Sequence, residues 1–183
     1  MKSSVLGPGL RILDAGCGTG QTTFALRSAL DARGIPARAI DAFDLTPAVL
    51  DRFRAKLTTS EIDTVGLAEA DVLQLDTLPP AWRDYDLVVT AAMLEYVPRS
   101  SLTTALQALR ERLRPHGTLL LFISRNNVLT KPLIKRWWSA NLYTREELRD
   151  AIDNAGFTDV SFNHFPLPYR HLDLWGHVVS AQA

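Results

Sequence analysis

The sequence has little of several features that would narrow its function at once. It contains one cysteine, Cys17, in 183 residues, which excludes an internal disulfide and a metal site built from several cysteines. Its 20 basic and 20 acidic side chains balance to zero formal charge, so no overall charge draws it to nucleic acid or anionic lipid. No apolar run approaches the ~20 residues of a membrane span, and the N-terminus has no signal-like apolar core. We therefore expect a cytoplasmic protein.

What is present is the composition of an ordinary globular domain. Hydrophobic residues make up 46% of the chain and charged residues 22%, which are typical values for a folded protein. A chain of 183 residues is long enough for one domain with one sizeable core.

Nine residues, 12–20, organise the rest of the chain. They read ILDAGCGTG, in which two apolar residues and an acid lead into glycines at alternate positions. Residues 11–13 are typical of the end of a buried strand, and residues 21–30 have apolar side chains at helical spacing. A glycine loop between a strand and a helix lets a ligand reach the backbone, and the helix N-terminus adds unpaired N–H groups.

The glycine loop alone does not identify the ligand. A dinucleotide-binding loop reads G-x-G-x-x-G, but here the third glycine comes one residue early, at Gly20, and Gln21 takes the dinucleotide position. A P-loop needs a Gly-Lys-Ser/Thr ending, which this segment lacks. A structural glycine turn without a ligand is a further alternative. An NAD-type oxidoreductase stays as a rival hypothesis that the early glycine argues against.

Residues 12–20 resemble, at every position, the first motif of class I S-adenosylmethionine-dependent methyltransferases of the small-molecule type. Residues 85–117 also resemble the family, because a strand with Asp-Leu-Val-Val is followed by Leu-Glu-Tyr-Val, a helix and Leu-Arg-Pro-His-Gly. The family more often has Pro-Gly-Gly where this chain has Pro115-His116-Gly117, which affects only a turn. The resemblance covers residues 11–123 and implies an enzyme whose cofactor is S-adenosylmethionine.

Strand and helix patterns alternate along the chain. After residues 11–13 we expect strands over residues 38–43, 65–69, 85–90, 118–123, 158–162 and 174–180. Helices are expected over residues 21–30, from Thr46 as cap, from Ser100 and Ser101 as caps to about Arg114, and from a capping box at Thr144 to near Gly156. The alternation predicts a doubly wound α/β fold with a mostly parallel sheet. The family implies seven strands, and the last two strands should pair antiparallel because no helix separates them.

Ligands of doubly wound sheets bind at the carboxyl ends of the strands. In the resembling family the glycine loop wraps the methionine end of the cofactor, an acid after the second strand binds the ribose diol, and the next residue packs on adenine. The resemblance also implies that Asp71 and Val72 contact adenine, with Asp76 as a nearby alternative to Asp71, and that a carbonyl near Ala91 meets the methionine amino group. The predicted cofactor-binding residues are Asp14, Gly16, Cys17, Gly18, Gly20, Asp44, Leu45, Asp71, Val72 and Ala91.

Some of these residues have a plain structural interpretation. An acid at position 44 is also typical of a solvated strand end or of a helix cap, with no role in binding. Cys17 is a small residue where the loop needs one, so we interpret it as structural rather than as a nucleophile. The four histidines, His116, His164, His171 and His177, show no metal-ligand spacing, so we expect no metal and a solvated or core position for each.

The sequence assigns no catalytic residue. Methyl transfer from a sulfonium is an in-line displacement, so a general base is needed only if the acceptor carries a proton at attack. Glu95, Tyr96, His164 and His171 are the candidates. Tyr96 stands where many methyltransferases of this type place a histidine, and a tyrosine packing at the start of a loop is the alternative.

Acceptor choice is expected to lie in residues 126–143, which have no clear period. This segment contains Lys131, Lys135, Arg136, Trp137 and Trp138. Three interpretations stay open: a wall for a flat or anionic acceptor, a contact with a membrane surface, or a helix with a buried tryptophan. No Asn-Pro-Pro-Tyr/Phe tetrad follows the fourth strand, and no broad basic face is evident, which argues against nucleic acid.

The sequence thus predicts that residues 1–183 form a single methyltransferase domain without an N-terminal cap-helix region. Its predicted activity is methyl transfer to oxygen or nitrogen of a small-molecule acceptor, with no nucleic-acid or membrane partner. The alternative is a cofactor-binding, non-catalytic subunit or regulator. Either a homodimer or a partner chain would then complete the pocket that the absent cap leaves open.

Overall fold

The computed structural model describes residues 9–126 and 140–183. Within them lie seven strands and four α-helices, in the order β1 (Leu10–Ala15), α1 (Gln21–Asp31), β2 (Ala37–Asp44), α2 (Pro47–Thr59), β3 (Val65–Glu69), β4 (Tyr85–Ala91), α3 (Leu102–Arg110), β5 (Leu113–Ser124), α4 (Arg145–Asn154), β6 (Thr158–Asn163) and β7 (Gly176–Gln182). Short 3-10 turns cover Leu75–Thr77, Leu94–Tyr96, Arg99–Ser101 and Tyr169–Leu174.

All seven strands belong to one sheet in the order β3-β2-β1-β4-β5-β7-β6. The pairs from β3 to β5 are parallel, and β7 runs antiparallel to both β5 and β6. The predicted doubly wound α/β fold with an antiparallel last strand is therefore confirmed. The order reverses between β1 and β4, and ligands of such sheets bind at this switch point.

Both faces of the central strands are buried, as a parallel sheet with helices on each side requires. In β1, Leu13 packs into a cluster with Leu106 and Leu109 of α3, while the neighbouring Ile12 packs into a second cluster with Leu30 of α1. Ile12 and Leu13 are both fully buried. This explains why the adjacent residues Ile12 and Leu13 are both apolar, where a strand with one solvated face would alternate apolar and polar residues.

The predicted boundary between α3 and β5 is wrong. The helix ends at Arg110, not near Arg114, because Leu113 already pairs with Tyr85 at the start of β5. The turn predicted at residues 115–117 is an irregularity inside β5, where the register shifts between Tyr85 and Leu87 and His116 adopts φ 62°. The strand absorbs the extra residues as a bulge does.

Of three residues at helix N-caps, one makes a side-chain capping hydrogen bond and two do not. Thr144 accepts a hydrogen bond from the Glu147 N–H, and the Glu147 carboxylate accepts one from the Thr144 N–H, so the predicted capping box is confirmed. Thr46 and Ser101 occupy N-cap positions, but neither side chain makes a capping hydrogen bond. The Thr46 N–H instead donates to the Asp44 carboxylate over 2.9 Å.

Across residues 9–126 and 140–183, no helix combines the length and the apolar character that crossing a bilayer demands. In the same described part of the chain, no group of three or more histidine, cysteine, aspartate or glutamate side chains could hold a metal ion.

Candidate functional site

The glycine loop between β1 and α1 is held against the end of β2. The Gly16 and Cys17 N–H groups both donate to the Phe43 carbonyl over 2.9 Å, and the Gly20 N–H donates to the Cys17 carbonyl over 2.9 Å. The loop therefore turns back on itself directly beside the first residues after β2. Because β1 and β2 are parallel neighbours, their carboxyl ends face the same cleft.

Each glycine of the loop meets a different surrounding. A side chain at Gly16 would collide with Met93, and one at Gly20 would collide with the Phe53 ring, so these positions need glycine for packing. A Cβ at Gly18 would have no atom within 4 Å. All three adopt positive φ, which glycine does at little cost. Gly18 is therefore the position where bare backbone faces open space.

Asp44 joins the end of β2 to this loop. One carboxylate oxygen accepts the Gly18 N–H over 2.8 Å, and the other accepts the Thr46 N–H over 2.9 Å. The carboxylate therefore lies within direct hydrogen-bond reach of the loop, in the cleft that they share. Each carboxylate oxygen retains acceptor capacity for a further hydrogen bond.

The end of β3 supplies a second acid to the same cleft. Asp71 accepts the Leu73 N–H over 2.9 Å through one carboxylate oxygen, which fixes the turn after the strand. Val72 is buried at 5% exposure and lines the cleft with Asp71. Asp76, the alternative to Asp71, is not among the lining residues.

These strand ends enclose a cavity of about 630 Å³, called here the cofactor cavity. Its lining includes eight of the ten predicted cofactor-binding residues: Gly16, Cys17, Gly18, Asp44, Leu45, Asp71, Val72 and Ala91. Asp14 and Gly20 lie outside the lining. The volume falls within the roughly 300–1,000 Å³ of small-molecule sites.

Asp14 supports the glycine loop from beneath. The carboxylate is fully buried; one oxygen accepts the Thr23 hydroxyl over 2.6 Å, and Oδ1 has no hydrogen-bond partner. Burial raises the pKa of this carboxyl from 3.8 to about 6, with a smaller contribution from the Asp44 charge. Asp14 therefore ties β1 to α1 rather than facing the cavity.

Cys17 has the surroundings of a packing residue. The side chain is 5% exposed and packs with Leu50 and Phe53 of α2. Burial raises the pKa of its thiol, and the charges of Asp14 and Asp44 add to this effect. Since the thiolate is the nucleophilic form, these surroundings favour the structural interpretation.

The four candidate bases lie in three different places, and His171, like His164, is exposed on the surface. Tyr96 is 57% exposed and lines the cofactor cavity near its rim, and burial of its hydroxyl together with the Glu95 charge raises its pKa. His164 is on the surface, where its ring contacts the Asp173 carboxylate over 2.7 Å. Glu95 is 5% exposed, and one carboxylate oxygen accepts the Ser124 N–H over 2.9 Å.

Glu95 lines a second cavity of about 210 Å³, called here the side cavity. It lies beyond the ends of β4, β5 and β7 and shares two lining residues, Ala91 and Ala92, with the cofactor cavity. The rest of its lining is Phe122, Ile123, Ser124, Phe165, Leu172, Trp175, Gly176 and His177.

His177 is the side-cavity residue that sequence reasoning missed. It was expected to be solvated or in the core like the other histidines, and it is indeed 5% exposed, but its Nε2 has no hydrogen-bond partner. Burial lowers the pKa of the ring from 6.5 to about 4, and the Arg125 charge acts in the same direction. The strand pattern of β7 gives no indication that the ring of His177 is buried with an unpaired nitrogen.

Most of the segment 126–143 predicted to select the acceptor, residues 127–139, lies outside the described residues. Lys131, Lys135, Arg136, Trp137 and Trp138 lie in the stretch 127–139, so the three interpretations of that segment stay predictions.

The cofactor cavity combines backbone, charged and apolar groups. Bare backbone at Gly18 and a half-buried carboxylate at Asp44 face it together with the apolar side chains of Leu45 and Val72. The sheet order defines a doubly wound α/β protein whose last strand runs antiparallel, as the resemblance to methyltransferases implies.

Comparison with known proteins narrows this class to one family. A family described as "Methyltransferase domain" matches residues 12–117. The chain belongs to that family, within the class I S-adenosylmethionine-dependent methyltransferases. The match covers the glycine loop, the ends of β2 and β3, and the whole of β4 and α3.

Individual relatives extend the likeness beyond the matched segment. The chain is 33% identical over 109 residues to a malonyl-[acyl-carrier protein] O-methyltransferase of Halalkalibacterium halodurans, covering 60% of this chain and 37% of that protein. It is 30% identical over 183 residues to a carboxy-S-adenosyl-L-methionine synthase of Aeromonas salmonicida, covering 92% of this chain and 70% of that protein. The chain thus spans well under half the length of the first relative and about two thirds of the second.

A solved structure shows the same fold at lower identity. The trans-methyltransferase CalH, in a complex with SAH, superimposes with a TM-score of 0.77 at 22% identity, over 97% of this chain and 52% of that chain.

Proposed function

We propose that this chain is an S-adenosylmethionine-dependent methyltransferase that methylates oxygen or nitrogen of a small-molecule acceptor. The observation that carries the proposal is the hydrogen bond of 2.8 Å between the Gly18 N–H and the Asp44 carboxylate. It sets the bare backbone of the loop and the acid of β2 side by side in one cavity of suitable size.

The proposed roles follow from where each group lies. The bare backbone at Gly16 and Gly18 lets the amino-acid end of the cofactor approach the loop closely, and the Asp44 carboxylate accepts hydrogen bonds from its ribose diol. Leu45, which is 61% exposed, and Val72 supply apolar contacts for adenine. When bound, S-adenosylmethionine supplies a methyl group already activated by its sulfonium charge, so the protein's task is mainly to hold the two reactants in line.

Calorimetric titration with S-adenosylhomocysteine tests the cofactor assignment. Asp44→Ala should weaken binding by about 1–3 kcal/mol, the range of a lost hydrogen bond to a charged group. Asp76→Asn is the control, since Asp76 is an acid in the turn after the neighbouring strand β3 but lies outside the cavity lining, and it should bind as the wild type does. The absence of heat with the wild type, or equal affinity in Asp44→Ala, contradicts the assignment.

Two alternatives to methyl transfer can be distinguished by the products that are formed. The likeness to a carboxy-S-adenosyl-L-methionine synthase over 92% of this chain favours a second candidate, in which a carboxyl group from a separate carboxyl donor replaces a hydrogen of the cofactor's methyl group and that hydrogen leaves as a proton, so the incubation includes such a donor. Mass spectrometry of the nucleoside after incubation reveals such a product, whereas methyl transfer leaves S-adenosylhomocysteine. A non-catalytic subunit or regulator binds the nucleoside but forms neither product, and a labelled methyl group on any acceptor excludes it.

A further inference from the structure

The turn after β4 forms one wall of the cofactor cavity. Four residues of this stretch line the cavity: Met93, Tyr96, Val97 and Pro98. Its centre is the 3-10 turn Leu94–Tyr96, and a helical turn leaves the carbonyls at its end without partners inside the turn. The carbonyls of Glu95 and Val97 therefore need hydrogen-bond donors from elsewhere in the chain.

Asn141 supplies both donors. Its backbone N–H donates to the Glu95 carbonyl over 2.7 Å, and its side-chain Nδ2 donates to the Val97 carbonyl over 2.8 Å. Because a carbonyl oxygen can only accept, the amide nitrogen rather than the amide oxygen must face Val97. The two bonds lie on either side of Tyr96 along the chain, so one residue holds the backbone before and after it. Asn141 itself is not among the residues that line the cofactor cavity.

The segment that carries Asn141 is itself held in place. The Tyr143 carbonyl accepts the Asn126 N–H over 3.0 Å just beyond the end of β5, and the Leu142 carbonyl accepts a guanidinium N–H of Arg99 over 2.6 Å. Leu142 and Tyr143 are both buried. Asn141 therefore reaches the turn from an anchored piece of backbone, and its hydrogen bonds restrain the turn.

Tyr96 depends on this restraint because its side chain has little packing of its own. The side chain is 57% exposed at the rim of the cofactor cavity, so the backbone of the turn decides where the ring lies. At the other end of the same turn, a Cβ added at Gly16 would collide with the Met93 side chain, so Met93 packs directly against the glycine loop. A shift of the turn would therefore move the cavity wall both at the rim and at the glycine loop.

We propose that Asn141 is a positioning residue for the cofactor. By holding the backbone on both sides of Tyr96, it keeps the rim of the cofactor cavity in the shape that the bound nucleoside contacts, without touching the nucleoside itself. This inference rests on the proposed function. The effect of Asn141 on the cofactor passes through Tyr96, which distinguishes it from a general contribution to folding.

Calorimetric titration with S-adenosylhomocysteine measures this effect. Asn141→Ala keeps the backbone hydrogen bond to Glu95 and removes only the side-chain bond to Val97. It should weaken binding about three- to tenfold, the loss that corresponds to one neutral hydrogen bond. Asn141→Asp keeps the size of the side chain but places an oxygen against the Val97 carbonyl, so it should weaken binding at least as much and serves if Asn141→Ala fails to fold. Wild-type affinity in the folded variants overturns the inference.

A double-mutant cycle tests whether the effect passes through Tyr96. In a Tyr96→Ala background the side chain at the rim is gone, so adding Asn141→Ala should change the affinity for S-adenosylhomocysteine less than about twofold. An equal loss of affinity in the two backgrounds would show that Asn141 acts independently of Tyr96, which also overturns the inference.

The position of Tyr96 can be followed directly by fluorine spectroscopy of the protein without ligand. Fluorotyrosine in place of the four tyrosines gives one signal for each, and Tyr96→Phe identifies the signal of Tyr96. In Asn141→Ala this signal should move, while that of Tyr169, on the surface before β7, should not. A Tyr96 signal that stays where it is in the wild type contradicts the positioning role.

Asn163→Ala is the matched control, because it removes the same amide group from another place. Asn163 Nδ2 donates to the Ser180 hydroxyl over 2.9 Å, and neither residue lines the cofactor cavity, so this variant should bind S-adenosylhomocysteine as the wild type does. Failure of the wild type to bind S-adenosylhomocysteine would instead contradict the proposed function. The fluorine signal of Tyr96 would then still test the positioning role, so the two failures are distinguishable.

Discussion

Asp14→Asn should remove a pH dependence of stability that the buried carboxyl of Asp14 imposes. The pKa of this carboxyl is about 6 in the folded protein against an ordinary value of 3.8, because burial disfavours its charged form. The folded state therefore holds the proton more tightly than the unfolded chain. The resulting stabilisation is fully present below pH 3.8 and is lost as the pH rises through about 6.

The size of the effect follows from the difference between the two pKa values. At 1.36 kcal/mol per pKa unit, the complete loss of unfolding free energy relative to Asp14→Asn is about 3 kcal/mol. About 2 kcal/mol of it falls between pH 4 and pH 7, because the unfolded carboxyl is already partly ionised at pH 4. The asparagine oxygen can still accept the Thr23 hydroxyl, which now lies 2.6 Å from the carboxylate. A constant cost of placing the amide at the unpaired Oδ1 position does not alter the slope with pH.

Urea unfolding followed by circular dichroism at several pH values between 4 and 7 measures this difference. Asp63→Asn, a change at an exposed acid, corrects for the general loss of one carboxylate and should follow the wild type. Parallel stability curves for the wild type and Asp14→Asn would show that burial does not hold the proton on Asp14 and would refute the reasoning.

Three further predictions test other parts of the molecule. His177→Phe should reduce the loss of unfolding free energy at low pH. The pKa of His177 is lowered from 6.5 to about 4, so the folded state loses stability relative to the unfolded chain as the pH falls through that range. Urea unfolding at several pH values measures this change. Gly20→Ala should strongly lower the thermal stability, because its methyl group would collide with Phe53. Gly18→Ala should lower the free energy of unfolding by only about 1 kcal/mol, the cost of a left-handed backbone at alanine. Calorimetry should show that Gly18→Ala binds S-adenosylhomocysteine more weakly. Thr144→Ala should cost about 1 kcal/mol in urea unfolding through loss of the capping box.

The sequence predicted best where the signal is local. The strand over Val65–Glu69 and the capping box at Thr144 follow from a few adjacent residues, and both are as predicted. The end of α3 was placed too late because the apolar spacing of the helix runs on through Leu113. That residue is buried in β5, where pairing with Tyr85 outweighs its helical position. Pairing with a residue distant in sequence cannot be recognised from the apolar spacing of a segment.

The candidate site was predictable in its loop and unpredictable in its side cavity. The glycines and Asp44 stand at fixed distances along the chain from recognisable strands, so their meeting in one cleft follows from the parallel sheet. The approach of Glu95 to β5 depends instead on a hydrogen bond to Ser124, 29 residues away. The buried ring of His177 lies 5.8 Å from the ring of Phe162 in β6, a contact between strands that no local pattern connects.

The bond between Asp44 and Gly18 also bears on how tightly the cavity can bind. A glycine-rich loop has much conformational freedom to lose when a ligand orders it. Here the Asp44 carboxylate and the Phe43 carbonyl accept the Gly16, Cys17 and Gly18 N–H groups, so hydrogen bonds within the protein order the loop. These bonds occupy the backbone N–H donors of all three residues, which limits how many N–H groups the loop can offer to a ligand. In the proposed function the loop therefore contributes shape and close approach, and Asp44 contributes the directional hydrogen bonds.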